Sequence, residues 1–415
     1  MTNSHNILFV HYGDDGIRGS EQILLNIIKN LSHDFRAYLW TNSPSLEKAA
    51  KPFVSESRLD NFTLLLNWEK PRFNLVNFLH LISTAKKLIK GYQIDLIHCN
   101  SAGPNQWLQS VSTSLKVPVV LHLHAHYLMR DLISLRVLGS PLIVTASPSV
   151  EGELLDLGLP SSNTQTITNS IDDRKFMSDK PVSVRKLICA SKDETVIATT
   201  GALIPTKGQH ILIEALSILK NKGYPVKLAL IGSGYYKHNL ENLSKQLGIS
   251  SDVFFLGQRN DVASLLKGDV DIFVTPTFGE TYPLVVQEAA FAALPIIATK
   301  VGSITAMLKH NESALLINHN DTQGLVEAIE DLLLHQDKAK SLGEAAFKTA
   351  SKKFTLTRFT HEFDSLYRNV ISNPEQAIST FKNRLTWLYF TFNYLSRLLI
   401  RKLNFRSNIR VEKSI

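Results

Sequence analysis

Two carboxylates with seven residues between them, Glu280 and Glu288, open the strongest chemical pattern in the chain, GETYPLVVQEAA at residues 279–290. The preceding DIFVTPT reads as a buried strand, and Pro283 suits the first turn of a helix, where its missing N–H is not needed. Glu280 then stays in the loop and Glu288 lies one to two turns inside the helix. The free N–H groups and dipole of a helix start attract phosphate, so this spacing suits a nucleotide sugar: amides for the diphosphate, one acid for each set of vicinal hydroxyls. On the pair alone a plainer reading fits as well, with Glu280 a favourable helix-start charge and Glu288 a solvated helix residue.

Other residues carry chemistry at weaker spacing. His122, His124 and His126 alternate, so on a strand they share one face, the arrangement that raises the question of a metal site. Lys207 and Gly208 lie in a turn, where Lys207 reads either as a surface residue or as a partner for phosphate. Arg18 sits in the loop GDDGIRGSE, and Arg259 follows a strand that ends in glycine. Each arginine also reads as an ordinary solvated or ion-paired side chain.

The elements that would hold these residues form a repeating pattern. Buried-strand candidates run near Ile7 to Val10, Ala37 to Trp40, Thr63 to Leu66, Leu96 to His98, Val119 to Leu123 and Leu142 to Thr145. Helical periods lie between them, as in Glu21 to Leu31, where Ile23, Leu24, Ile27, Ile28 and Leu31 share a face. After Asn169 the charged stretch IDDRKFMSDKPVSVRK reads as a linker. The pattern then restarts with strands at 195–201, 226–232, 253–257, 271–276 and 295–299. Alternating strands and helices of this kind make parallel sheets covered on both faces. We therefore expect an α/β chain of two Rossmann-like doubly wound domains, 1–180 and 190–355, whose strand ends face a shared cleft.

Composition excludes several alternatives. With 44% apolar and 20% charged residues, and only 20 Gly and 15 Pro in 415, the chain is neither disordered nor low-complexity. Two distant cysteines, Cys99 and Cys189, exclude a disulfide scaffold and point to a reducing, cytoplasmic setting. The first residues lack the basic region of a signal peptide, and no run reaches the length of a spanning helix. The net charge of +8 is concentrated: eight Lys or Arg fall within residues 381–415 against Glu412 alone. There Leu385, Leu388, Phe392, Leu395 and Leu399 recur at helical spacing among aromatics, which suits an interfacial helix on anionic lipid or a helix packed back on the first domain. No nucleic-acid recognition motif accompanies the basic tail.

TPTFGETYPLVVQEAAFAALPIIATKVGSITAMLKHNESALLI resembles the signature region of the group 1 (family 4) retaining glycosyltransferases. GALIPTKGQHILIEALSIL, LALIGSGYYKHNLENLSKQLG, NSIDDRKF, RGSEQILLNIIKNL and PVVLHLHAH are similar to further segments of that family. The resemblance covers about residues 7 to 370 and implies the GT-B fold, with a helix at 356–375 returning towards the N-terminal, acceptor-binding domain. It implies that Glu280 contacts the donor sugar, that Glu288 holds the ribose, and that Lys207 neutralises the diphosphate. Gly201 and Gly208 shape the donor loop, the N–H groups of Thr281, Tyr282, Leu284 and Val285 reach the phosphates, and His124 stands near the anomeric carbon. Gly16, Arg18 and Gly19 line the acceptor loop.

The chain departs from the family pattern at Ala202, where an arginine is usual, and at Arg18, where glycine is usual. Arg259 is the candidate substitute for the missing cation. Asp269 and Asp271 form a D-x-D, a metal motif in other glycosyltransferases, but Asp271 opens a buried strand and matches a structural aspartate of this family. The resemblance thus implies metal-independent transfer from a nucleotide-diphosphate sugar to a glycan or lipid-linked acceptor in cell-envelope polysaccharide biosynthesis, without cofactor, at the inner face of the membrane. Two other readings remain: a donor-binding but inactive partner subunit, suggested by Ala202, and a GT-B nucleotide-sugar epimerase or sugar phosphorylase.

Overall fold

The computed structural model describes residues 4–66 and 73–412, with side chains described through residue 397. Its apolar runs form two parallel sheets. The first contains β1 (His5–His11), β2 (Phe35–Thr41), β3 (Glu56–Leu59), β4 (Leu96–Cys99), β5 (Val119–Leu123), β6 (Ile143–Thr145) and β7 (Thr164–Thr166), in the spatial order β3-β2-β1-β4-β5-β6-β7. The second contains β8 (Thr195–Thr200), β9 (Val226–Ile231), β10 (Val253–Gly257), β11 (Ile272–Thr275), β12 (Ile296–Thr299) and β13 (Leu315–Ile317), in the order β10-β9-β8-β11-β12-β13. Both orders reverse beside the first strand, between β1 and β4 and between β8 and β11. Ligands of such sheets bind outside the carboxyl ends of the strands at that reversal.

Burial explains why these runs became strands. Ile7, Phe9, Leu96, Ile97, Val119 and Leu121 are inaccessible to solvent in the first sheet, as are Ile197, Leu228, Phe273 and Ile297 in the second. Strands covered on both faces read as continuous apolar runs, and that is how most were found. The expected strand at Thr63 to Leu66 is a correction. The third strand is Glu56–Leu59, paired with Tyr38 to Thr41, and its residues are largely exposed at the sheet edge. Leu64 is buried from a loop instead, and the Gln106 side chain bonds both the N–H and the carbonyl of Leu65, at 2.8 and 2.9 Å.

The chain divides into two compact units, 1–146 with 150–167 and 360–415, and 147–149 with 168–359. The second unit thus begins at 168, before the charged stretch read as a linker. That stretch forms helices Asp173–Ser178 and Val184–Leu187, and its Ile171, Phe176 and Val184 bury in the second unit's core.

The helix Leu356–Ser372 carries the chain back into the first unit. There the Tyr367 hydroxyl meets His98 Nδ1 at 2.8 Å, and Arg368 pairs with Asp34 at 2.7 Å. The tail is one helix, Phe381–Glu412. Its Trp387 donates from Nε1 to the Ile133 carbonyl at 2.8 Å, and Phe390 and Tyr394 pack against the first core. The row singled out in the sequence turns the other way: Leu385, Leu388, Phe392 and Leu395 are all about half exposed or more. Leu399, also in that row, lies outside the described side chains.

Candidate active site

In the second unit the functional loops are pressed together by glycines. β8 ends at Thr200, and Gly201 follows with φ +140° into open space. The next turn, Pro205–Lys207, ends at Gly208 with φ +70°, where a Cβ would stand 2.0 Å from the Pro276 carbonyl oxygen. Only glycine permits both that backbone conformation and that approach. The Phe278 N–H and the Thr277 hydroxyl then donate to the Thr206 carbonyl at 2.9 and 3.1 Å. This stitching places Lys207 beside the loop that leaves β11, and its Nζ forms an ion pair with Glu280 Oε1.

Glu280 is gripped from its other side as well. A Cβ on Gly302, at φ +51°, would lie 1.8 Å from the Glu280 carbonyl oxygen. The helix that follows is Leu284–Phe291, with Pro283 at its N-cap rather than inside its first turn. Thr281 and Tyr282 lead into it, and Leu284 and Val285 occupy its first turn, where N–H groups have no partner within the helix. Glu288, about one turn in, is half-buried, and its carboxyl makes no hydrogen bond among the described residues. Burial pushes its carboxyl up to about 7. Sequence reasoning missed Gln287. Its buried amide accepts from the Ile171 N–H at 3.1 Å and donates to the Asn169 carbonyl at 3.0 Å, tying the helix to the start of the unit.

The cation question at Ala202 has a clear structural setting. Ala202 is exposed, and its carbonyl accepts from Gln209 Nε2 at 3.0 Å. Arg259 lies beyond the edge strand β10, and one edge of its guanidinium, Nε and Nη2, engages Asp261 at 2.8 and 2.6 Å. The D-x-D aspartates serve the fold. Asp269 accepts from the Ser183 hydroxyl and the Arg185 N–H, and Asp271 accepts from the Val196 N–H at 2.7 Å and pairs with Arg185 at 2.5 Å.

The first unit gathers its candidates at the carboxyl ends of β1, β4 and β5. The loop after β1 holds Gly16, at φ +137° with open space around it, then Arg18 and Gly19, where the helix Gly19–Lys29 begins. Asp15 pins this loop by accepting from the Ser45 N–H at 2.9 Å and the Ser43 hydroxyl at 3.2 Å. Arg18 is exposed and reaches Asp14 at 3.2 Å.

The three alternating histidines separate. His122 is wholly buried with neither nitrogen bonded, His124 lies at the end of β5 with its Nε2 2.9 Å from Asn100 Oδ1, and His126 has left the strand to pair with Glu153 at 2.6 Å. Burial, and then the charge of nearby His11, lower the His124 imidazole to about 3, so it is neutral at ordinary pH. Among the described residues no group of three or more His, Cys, Asp or Glu side chains has the geometry to hold a metal.

Two parallel sheets of the same winding order, each flanked by helices, define the GT-B class of folds. The comparisons agree with that class. The family model "Glycosyl transferases group 1" matches residues 185–349, and "Glycosyltransferase Family 4" matches residues 17–175. The chain belongs to the group 1 glycosyltransferases. It is 24% identical over 310 residues to N-acetyl-alpha-D-glucosaminyl L-malate synthase of Bacillus anthracis, covering 72% of this chain and 81% of that one. It is 27% identical over 242 residues to the capsular polysaccharide biosynthesis glycosyltransferase CapM of Staphylococcus aureus, covering 56% of this chain and 60% of the relative's length. Among solved structures, Anabaena Alr3699/HepE in complex with UDP and glucose superposes with a TM-score of 0.75 at 22% identity, covering 88% of this chain and all of that one.

Proposed function

We propose that the protein is a retaining glycosyltransferase that moves a sugar from a nucleotide-diphosphate donor to a glycan or lipid-linked acceptor hydroxyl without a metal. The observation that carries this reading is the Lys207–Glu280 pair at the carboxyl ends of β8 and β11, where this winding order receives its ligand. Negative charge grows on the leaving diphosphate as the glycosidic bond breaks. Lys207 and the N–H groups at the start of the Leu284 helix stabilise that charge where it forms. When phosphate takes over Lys207, Glu280 is released to accept from sugar hydroxyls, and Glu288 accepts from the ribose diol. The departing phosphate oxygen takes the acceptor's proton on the face from which it leaves, so configuration is retained without a covalent enzyme intermediate. The UDP and glucose held by the Anabaena structure support a nucleotide-sugar donor, and the capsule enzyme supports a glycan acceptor.

A panel of nucleotide sugars, with release of nucleoside diphosphate as readout, tests the reading. Release should vanish in Glu280→Ala and persist in chelator, and the anomeric configuration of the product, read by NMR, decides retention. Tight donor binding without release by the unaltered protein would instead establish the inactive partner subunit. The exposed Ala202 and the engaged Arg259 are the observations that favour that second reading.

The tail helix supports a reading in which the reaction takes place at a membrane surface. Its aromatic face is docked on the first unit, while Phe381, Leu388, Tyr389 and Phe392 stand in solvent beside Lys382, Arg384 and Arg397. Amphipathic helices with that pairing of apolar and basic residues bind anionic lipid. No helix among the described residues is long and apolar enough to cross a bilayer. Flotation with phosphatidylglycerol vesicles should capture the protein, and Leu388→Glu with Phe392→Glu should abolish capture while leaving turnover of a soluble acceptor intact. Capture unaffected by the two charges would overturn the assignment.

A further inference from the structure

A catalytic imidazole needs a defined tautomer, and the first unit contains a buried chain of groups that supplies one to His124. Glu21, on the first turn of the Gly19–Lys29 helix, is buried, as are His11 on β1 and Asn100 just beyond β4. Glu21 Oε1 lies 2.8 Å from His11 Nε2 and 3.0 Å from the Ser20 hydroxyl, and Oε2 accepts the Arg18 N–H at 3.0 Å. Burial pushes this carboxyl up, but the hydrogen bond to His11 outweighs it and holds the group at about 2. Glu21 is therefore a carboxylate and only accepts, so His11 Nε2 carries a proton. A Cβ on Gly13 would stand 2.8 Å from that same nitrogen, so the loop closes over the pair and keeps water out.

The next link fixes the amide of Asn100. Its Nδ2 lies 3.0 Å from His11 Nδ1 and 3.3 Å from the Ser20 carbonyl. A main-chain carbonyl only accepts, so the amide nitrogen must face Ser20, and Oδ1 is turned towards His124 Nε2 at 2.9 Å. An amide oxygen also only accepts. His124 then carries its proton on Nε2 and keeps its lone pair on Nδ1, a buried atom with no partner among the described residues. We infer that Glu21 is a positioning residue for the transfer reaction, acting through His11 and Asn100 to lock His124 as the Nε2–H tautomer, an acceptor rather than a donor to a group meeting the ring's other nitrogen.

His11 Nδ1 also lies 2.9 Å from the Asn100 main-chain oxygen, so a His11 protonated on both nitrogens would bond that oxygen and leave the Asn100 amide held in the same orientation by the Ser20 carbonyl. The inference rests on the glycosyltransferase reading for its kinetic consequence and on geometry alone for the tautomer, so the two are tested separately.

Full-length protein labelled with ¹⁵N-histidine, with the His124 signals assigned by loss in His124→Gln, reports the tautomer through long-range ¹H–¹⁵N correlations. The expected result is Nε2–H in the unaltered protein, and mixed tautomers in Glu21→Gln, which keeps size but removes the charge. In that variant kcat should fall by about 10²-fold, the lower end of what a positioned proton-handling group contributes, with donor KM nearly unchanged. Asn100→Leu, which keeps the size and removes the oxygen that fixes the His124 proton, should do the same and serves if Glu21→Gln does not fold. An Nδ1–H tautomer in the unaltered protein, or an unchanged tautomer or kcat in a folded variant, would overturn the inference. Absence of sugar transfer by the unaltered protein would sink the glycosyltransferase reading and with it the kinetic half, while the NMR result would still decide the tautomer.

Discussion

Lys207 and Glu280 neutralise each other across a sequence separation of 73 residues, in a contact made possible by Gly208, which brings their loops within van der Waals distance. In the proposed reaction the pair is a resting state: a diphosphate would compete for the ammonium and free the carboxylate for the sugar. Neither residue is fully buried, so exchange of partners does not strand a charge away from water.

Lys207→Ala should lower kcat/KM for the nucleotide sugar by roughly 10²–10³-fold, the loss seen when one donor to a developing charge is removed. Steady-state kinetics of diphosphate release measure it. A loss below about threefold would show that the helix amides carry the charge alone.

Gly302→Ala should cost at least about 1–3 kcal/mol, because the residue is held at positive φ. A new methyl group would also meet the Glu280 carbonyl oxygen, moving the acid proposed to contact the sugar. Denaturant unfolding and donor KM should both worsen. A stable variant with normal KM would show that the Glu280 loop is not fixed from this side.

Glu288 gives a pH signature. Its carboxyl titrates at about 7 in the fold against 4.5 for the free group, so folding favours the protonated form. The associated stability is complete below pH 4.5 and is lost as the pH rises to about 7, beyond which the loss is constant. Glu288→Gln should accordingly raise the melting temperature more at pH 8 than at pH 4. Donor kcat/KM should rise with pH through about 7 in the unaltered protein, since the carboxylate is the form that accepts two ribose hydroxyls, and this rise should disappear in the variant.

The histidine cluster under the first sheet's strand ends predicts acid lability. Burial first, and then the charge of neighbouring histidines, hold His98 near 3 and His122 well below its ordinary value, and His124 behaves alike. An unfolded chain takes up protons below about 6.5 that the fold refuses, so each ring removes up to about 1.4 kcal/mol per pH unit as acidity increases. Both nitrogens of His122 lack partners among the described residues, so His122→Phe exchanges an unsatisfied polar ring for an apolar one of similar shape. Urea unfolding at pH 5 and pH 7 should show a smaller acid loss in that variant.

Much of this was legible in the chain because buried parallel strands announce themselves as apolar runs, and because Glu280, Glu288 and Lys207 fall in dense motifs. The edge strands were less visible. Glu56–Leu59 and Thr164–Thr166 are short and mostly polar or exposed, so they carry no strong apolar signal. The linker was misplaced for a related reason: Ile171, Phe176 and Val184 are isolated apolar residues in a charged stretch, and only the assembled core shows that they are buried.

The tail's two faces were similarly indistinct in one dimension. Aromatics and leucines alternate around the helix, and the docked row, Trp387, Phe390 and Tyr394, is offset from the leucine row by the turn of the backbone. Gln287, Asn100 and His11 were missed altogether, since a buried amide or imidazole is recognised by its partners, which lie elsewhere in the sequence.

The first unit takes its final pieces from residues 360–415, including Phe363 and Tyr367 against His98. On the ribosome, where domains generally mature in order of synthesis, this chain inverts the sequence of events. The second unit, almost wholly contiguous from 168 to 359, can condense while the earlier one still waits with its histidine floor uncovered. Loss of the last fifty or so residues through a premature stop would therefore injure the part of the molecule made first.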